Sequence, residues 1–138
     1  MRTTLPRWSP AVLLLLLLVP GAGCPAPERC EQDSECGDAV CARNGECLPA
    51  SRVREVQVRW TIRGLAASAD TCAAVEPVSL QFQADPKDAL KYDPIVCSAG
   101  LFTIDKLPSR MTQVRLEGNG VGALVSIPPN GQVMADLK

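Results

Sequence analysis

The sequence predicts an all-β protein: a small disulfide-stapled cysteine-rich module followed by an antiparallel β-sandwich of about seven strands. Three observations carry this. Four cysteines fall within residues 30–47, where Val40 is the only other large apolar side chain. Beyond residue 52, short apolar runs alternate with polar residues at a period of two, which puts one face of each run on a core. Asn-Gly, Pro and Gly turn signals separate those runs at regular spacing.

The chain of 138 residues has room for one ordinary domain plus a small module. Residues 1–23 are laid out as a secretory signal peptide. Arg2 and Arg7 supply the positive start, residues 11–19 the apolar run, and Pro20-Gly21-Ala22-Gly23 the small-residue end. The run is shorter than the roughly 20 apolar residues of a membrane-spanning helix. It therefore reads as a cleaved address, and the mature chain is expected to have no transmembrane helix. Cleavage removes two Arg and no acid, leaving 12 basic against 15 acidic residues, a net charge of −3. That balance lacks the basic face of a nucleic-acid binder and the polybasic tether of a peripheral membrane protein.

Gly21-Ala22-Gly23-Cys24 resembles a bacterial lipobox, with Gly21 standing where that family usually has an aliphatic residue. The resemblance implies that Cys24 becomes the mature N-terminus and carries a diacylglyceryl thioether. Several palmitate-like chains would then hold the protein on the cell envelope, at the outer membrane. One acyl chain binds a bilayer marginally, and further chains make the attachment stable. Cysteine parity points the same way. The chain has seven cysteines, 24, 30, 36, 41, 47, 72 and 97. Export makes disulfides the default state, and an odd number leaves one over. With Cys24 lipidated, six remain. The alternative is ordinary signal cleavage, which leaves Cys24 as a thiol or disulfide partner in a soluble secreted protein.

Residues 24–29 are a lipidated, Pro-containing tether, and residues 30–47 form the cysteine module. Its cysteines stand at gaps of five, four and five. Such a segment cannot bury enough surface to fold without staples, and Asn44-Gly45 marks a hairpin inside it. Four cysteines allow three pairings, which spacing alone leaves open. The Cys30-x-x-Asp33-x-x-Cys36-Gly37 opening resembles short cysteine-rich repeats of surface lipoproteins. Small modules of the growth-factor-like type interleave such cysteines, which implies Cys30 with Cys41 and Cys36 with Cys47. Zinc fits poorly, because the paired Cys-x2-Cys spacing of structural sites is missing and the chain has no His. Glu31, Asp33, Glu35 and Asp38 lack the arrangement of a calcium loop and read as a solvated acidic rim. No metal or cofactor is expected.

Residues 48–52 are a linker, and residues 53–138 make the sandwich domain. Val56, Val58, Trp60 and Ile62 alternate with polar neighbours in a first strand that Gly64 ends. Val78, Leu80, Phe82 and Ala84 do the same in a second. Asp85-Pro86 has the cap and first-turn residues of a helix start, with room for one helical turn before Asp93-Pro94. Residues 95–97 and 101–104 read as short strands around Ser98-Ala99-Gly100, and Leu107-Pro108-Ser109 as a turn. Thr112, Val114 and Leu116 alternate in a further strand. Asn119-Gly120 turns it into residues 121–127, and Pro128-Pro129-Asn130-Gly131 turns the chain again into Val133, Ala135 and Leu137. These signals predict an antiparallel meander at the C-terminal end. Cys72 and Cys97 are the only cysteines of this unit and are expected to pair. Trp60 is the expected core anchor, with Tyr92 outside the core.

The strand Val56-Gln57-Val58-Arg59-Trp60-Thr61-Ile62-Arg63-Gly64 is one of two stretches that resemble a known group of domains. The other is Phe102-Thr103-Ile104-Asp105-Lys106-Leu107-Pro108 followed by Val114-Arg115-Leu116. Together they are similar to prealbumin-like or carboxypeptidase-regulatory-like domains of cell-envelope proteins, in which a strand, a Leu-Pro turn and another strand recur. The resemblance covers most of residues 53–138 and implies a noncatalytic spacer or adhesion module. Fold by itself does not assign a function.

Without His, no Ser-His-Asp or Cys-His arrangement can be built. Ser68, Ser79, Ser98, Ser109 and Ser126 have no evident base, and no phosphate-binding Gly-rich loop with Lys occurs. Asp85, Asp88 and Asp93 are the nearest thing to paired carboxylates, in one loop. The expectation is therefore a lipid-anchored envelope protein, not an enzyme and with no catalytic residues, that binds an envelope protein or glycan or acts as a structural module. An accessory subunit of a larger envelope complex is the alternative.

Overall fold

The structure is a computed structural model and describes residues 29–138. The signal-like run and Cys24 lie outside the described residues.

Two strands of two residues each, β1 (Val40–Cys41) and β2 (Cys47–Leu48), pair antiparallel across the Asn44-Gly45 turn. Gly45 supplies the positive φ, +83°, that this turn needs. Disulfides join Cys30 to Cys41 and Cys36 to Cys47. Cys30, Cys41 and Ala42 are the buried residues of this module, so bonded sulfur supplies most of its interior.

The larger unit is built around β3 (Val53–Ile62). The other strands are β4 (Leu65–Ala66), β5 (Val78–Asp85), β6 (Asp88–Ile95), β7 (Leu101–Pro108), β8 (Gln113–Gly118), β9 (Val121–Ser126) and β10 (Gln132–Leu137). In the first sheet β3 lies between β10 and β7, with β4 turning off its far end; the second sheet has the order β6-β5-β8-β9. The apolar residues of the period-two runs face inward: Val56, Val58, Trp60 and Ile62 from β3, Val78, Leu80 and Phe82 from β5, and Val114 and Leu116 from β8 are all buried. Burying one such side chain fully stabilises the fold by about 1.5–3 kcal/mol. Trp60 is the anchor expected of it. It is 3% exposed, and its Nε1–H donates to the Cys97 carbonyl at 2.9 Å.

Among the described residues the one α-helix, α1 (Ala69–Cys72), begins at Ser68, whose Oγ accepts the Thr71 N–H. It delivers Cys72 to a buried disulfide with Cys97. Asp136 of β10 accepts from the Gly64 N–H and the Thr61 hydroxyl, both at 2.8 Å, which pins the end of β10 to the end of β3.

Four expectations are corrected. Residues 85–88 are a hairpin turn and not a helix start. Asp85 Oδ1 accepts the N–H groups of Lys87 and Asp88, at 2.7 and 3.0 Å, so the side chain that would cap a helix closes a turn instead. Strand β6 follows and carries Asp93-Pro94 within it, which an edge strand tolerates. Of residues 95–97 only Ile95 is in a strand; Cys97–Ala99 is a 3-10 turn that Gly100 ends at φ +63°. Leu107-Pro108 lies inside β7, and the turn comes after it. Finally, Pro128–Gly131 is a crossover and not a hairpin: the chain leaves the second sheet after β9, and β10 pairs parallel with β3, Gln132 opposite Gln57 through Leu137 opposite Ile62. Parallel neighbours need a connection that leaves the sheet, and β8 and β9 intervene. Arg54 holds the crossover by donating to the Met111 and Pro128 carbonyls. All other pairs in the sandwich are antiparallel.

Gly131 is what lets the crossover lie against β3. It has φ +71°, and a Cβ there would overlap the Glu55 carbonyl oxygen. Gly120 has the same φ, with open space around it. Gly120→Ala should therefore cost about 1–2 kcal/mol, the left-handed penalty alone. Gly131→Ala should cost roughly 1–3 kcal/mol more from forced overlap. Urea midpoints of the two variants check this, and equal losses would contradict the close approach.

Candidate functional site: the seam between β6 and β7

The two sheets meet at their edges in different ways. On one side β9 and β10 come together, and the Gly122 N–H donates to the Lys138 carbonyl at 3.3 Å. On the other, β6 and β7 are joined by a short connection and meet through aromatic rings. Tyr92 of β6 and Phe102 of β7 have centroids 4.8 Å apart, and each lies 6.3 Å from the buried Phe82. Tyr92 is thus part of the packing, contrary to its expected place outside the core. It is half-buried, and burial pushes its phenol above the ordinary value of 10.0.

The cysteine module occupies part of this seam, and a bulge in β7 brings it there. Ile104 lies opposite Val56 and Leu107 opposite Arg54, so Asp105 and Lys106 together face Glu55. The extra residue re-aims both side chains, with Lys106 at φ +48°. The Lys106 ammonium reaches both oxygens of Asp33, at 2.8 and 2.7 Å. Its carbonyl accepts the Arg43 N–H, and the Arg43 guanidinium pairs with Asp105. Arg110 completes the contact by bridging Asp88 of β6 and Glu46 of the module. The ion pairs are partly exposed, so each is individually weak and is screened by salt.

Two carboxyls of the module are held below their usual range. The Lys106 ammonium and then the Cys41 N–H do so for Asp33, and the Glu31 and Glu35-facing Gln32 N–H groups do so for Glu35. The acidic rim therefore divides: Asp33 and Glu35 hold structure together, while Glu31 contributes its backbone N–H to Glu35.

Beyond the module the seam is open. A cleft of about 620 Å³ is lined by Tyr92, Pro94, Ile95, Val96, Leu101 and Phe102. Val96 is 70% exposed and Leu101 37%. Lys91 and Asp93 form an ion pair at 2.7 Å beside it. This arrangement can hold an apolar or aromatic group, and the Tyr92 hydroxyl offers a hydrogen bond at its edge.

The residues singled out in the sequence do not gather at this cleft. Asp85 closes its turn, Asp88 pairs with Arg110 and Asp93 with Lys91. Ser68 caps α1. The sulfurs of Cys30, Cys36 and Cys41 lie within 4.8 Å of one another, as do donor atoms of Cys72, Glu76 and Cys97. Every cysteine among these is in a disulfide, and a sulfur bonded to sulfur carries no thiolate for a metal. What the sequence reading missed is Tyr92 and the Asp105-Lys106 bulge. The alternation of Leu90 and Tyr92 with Ala89 and Lys91 was the available signal for the first. No family model, no curated protein and no solved structure matches this chain.

Acid should release the module before it unfolds the sandwich. A depressed carboxyl contributes stability above its ordinary value, 3.8 for Asp33 and 4.5 for Glu35, and that contribution is lost as pH falls below it. Hydrogen exchange with disulfides intact should show residues 30–48 losing protection in that acid window while β3 and β5 stay protected. Lys106→Gln should lose module protection already at neutral pH. Protection of the module that ignores both acid and Lys106 would contradict charge-based docking.

Proposed function

We propose that this chain is a lipid-anchored cell-envelope protein whose sandwich is a noncatalytic binding module. One observation carries the anchor. The six cysteines of the described residues are all consumed in three disulfides, which leaves Cys24, directly behind the apolar run, as the odd one of seven. Acylation gives that cysteine a chemical fate that needs no partner thiol. On this reading residues 1–23 are the removed signal peptide and residues 24–29 the tether. The separation from Cys24 to Arg29 spans at most about 18 Å when extended. The cysteine module then stands against the bilayer, at the outer membrane, and the sandwich projects beyond it.

The resemblance of the β3 and β7 stretches to prealbumin-like and carboxypeptidase-regulatory-like domains supports the same class, a spacer or adhesion module. The half-buried Tyr92 with the exposed Val96 and Leu101 gives it a surface for an apolar side chain of an envelope protein or the apolar face of a glycan.

The intact mass of the membrane-extracted protein, alkylated without prior reduction, tests the anchor. The expected species begins at Cys24, carries several acyl chains and has no alkylated thiol. A lipid-free chain with one alkylated cysteine would overturn it and make the protein a soluble secreted factor.

A further inference from the structure

Asn-Gly occurs three times, at residues 44–45, 119–120 and 130–131. All three dipeptides serve as turns, yet the structure holds them differently. Gly45 N–H donates to the Ala42 carbonyl at 2.8 Å, and its own carbonyl accepts the Cys30 N–H at 3.0 Å. A side chain at Gly45 would press on Arg29. Gly131 is buried; its N–H donates to Pro128 at 2.9 Å and its carbonyl accepts from Gln57 at 2.9 Å. The Asn130 side-chain oxygen is also occupied, by the Gln132 N–H at 3.1 Å. Asn119 and Gly120 differ from both. They are exposed at the tip of the β8–β9 hairpin, and nothing lies within 4 Å of where a Gly120 Cβ would stand. Among the described residues, the Asn119 side chain and the Gly120 N–H make no hydrogen bond to protein.

We propose that Asn119 is a site of spontaneous covalent modification, and that the fold shields Asn44 and Asn130 from the same reaction. The Gly120 amide nitrogen loses its proton to solvent base and attacks Asn119 Cγ. The N–Cγ bond forms, the Cγ–Nδ2 bond breaks and ammonia leaves, giving a cyclic succinimide. Water then adds to one of the two ring carbonyls, which yields aspartate or isoaspartate; no oxidant or cofactor takes part. The attack needs a free nitrogen, room to rotate and no side chain on the following residue. Gly120 meets all three conditions. Gly45 and Gly131 have their nitrogens committed and their peptides held on both sides.

The consequence is local and electrostatic. The product puts a carboxylate into a surface depression already lined by Glu76, Asp93 and Glu117. Isoaspartate also lengthens the main chain where the Asn119 N–H meets the Val75 carbonyl at 2.7 Å and where Gly118 lies against that same carbonyl. The modified hairpin should therefore separate from the segment between α1 and β5.

The test is peptide mapping of the full chain, disulfides intact, during incubation in mildly alkaline heavy-oxygen water. A reduced, denatured sample runs in parallel. Deamidation raises the mass of the affected peptide by about 1 Da beyond the isotope label. In the folded protein Asn119 should convert at least roughly tenfold faster than Asn44 or Asn130, because theirs must wait for local opening against two hydrogen bonds. In the denatured chain the three rates should converge. Equal rates in the folded protein, or an Asn119 that survives while the denatured chain is consumed, would overturn the proposal.

Discussion

Trp60 stands where three separate pieces of chain are forced to meet. It belongs to the central strand of one sheet, its ring is buried between the sheets, and its Nε1–H is satisfied by the carbonyl of Cys97. Cys97 is in turn bonded to Cys72 at the end of α1. A buried indole without an acceptor would carry a desolvation cost of about 1–3 kcal/mol, so the position of the 97–99 turn follows from the ring. That turn sets how β6 leaves and how β7 begins. The seam, its aromatic contacts and its open cleft all depend on that geometry. With only five aromatic residues in the chain, few other side chains could bridge the sheets at this end.

The two units are held together by different physics. The sandwich is closed by apolar burial and by strand pairing on both edges of β3. The module has a sulfur-filled interior and meets the sandwich mainly through ion pairs and one backbone hydrogen bond. Attachments of this kind open at a lower free energy than a packed core does. The bulge in β7 makes the attachment possible, because a regular strand would direct Asp105 and Lys106 to opposite faces. A local irregularity in pairing thus becomes the docking point of the smaller unit.

Where alternation was strict, the fold was legible in the sequence. Residues 56–62, 78–82 and 113–116 are strands whose Val56, Val58, Trp60, Ile62, Val78, Leu80, Phe82, Val114 and Leu116 are buried as expected, whereas Thr112 lies just outside β8 and is exposed. The all-β class followed from them. Errors arose where one residue type serves two structures. Asp85 can cap a helix or close an Asx turn, and only the pairing of β6 with β5 decides between them. The parallel place of β10 depends on what lies beside β3, and no local signal reports that. The spacing of the four clustered cysteines left three pairings open; resemblance alone suggested the interleaved one. Of the candidate site, Tyr92 was hidden by Pro94, which made its strand look like a loop. The bulge had no signature in residue type.

The parallel pairing of β10 with β3 joins the last strand of the sandwich to its first. Residues 53–62 are synthesised long before residues 132–137, so the edge of β3 stays unpaired until the final strand arrives. During that interval the first sheet presents a free row of N–H and C=O groups to any passing strand. A chain that stopped short of residue 132 could still form the whole of the second sheet, and its Cys72–Cys97 bridge would not depend on the missing strand. It would carry a permanently open edge along β3. The register of six residue pairs between β10 and β3 therefore works as a check that the sandwich is whole, passed only once β10 has been made.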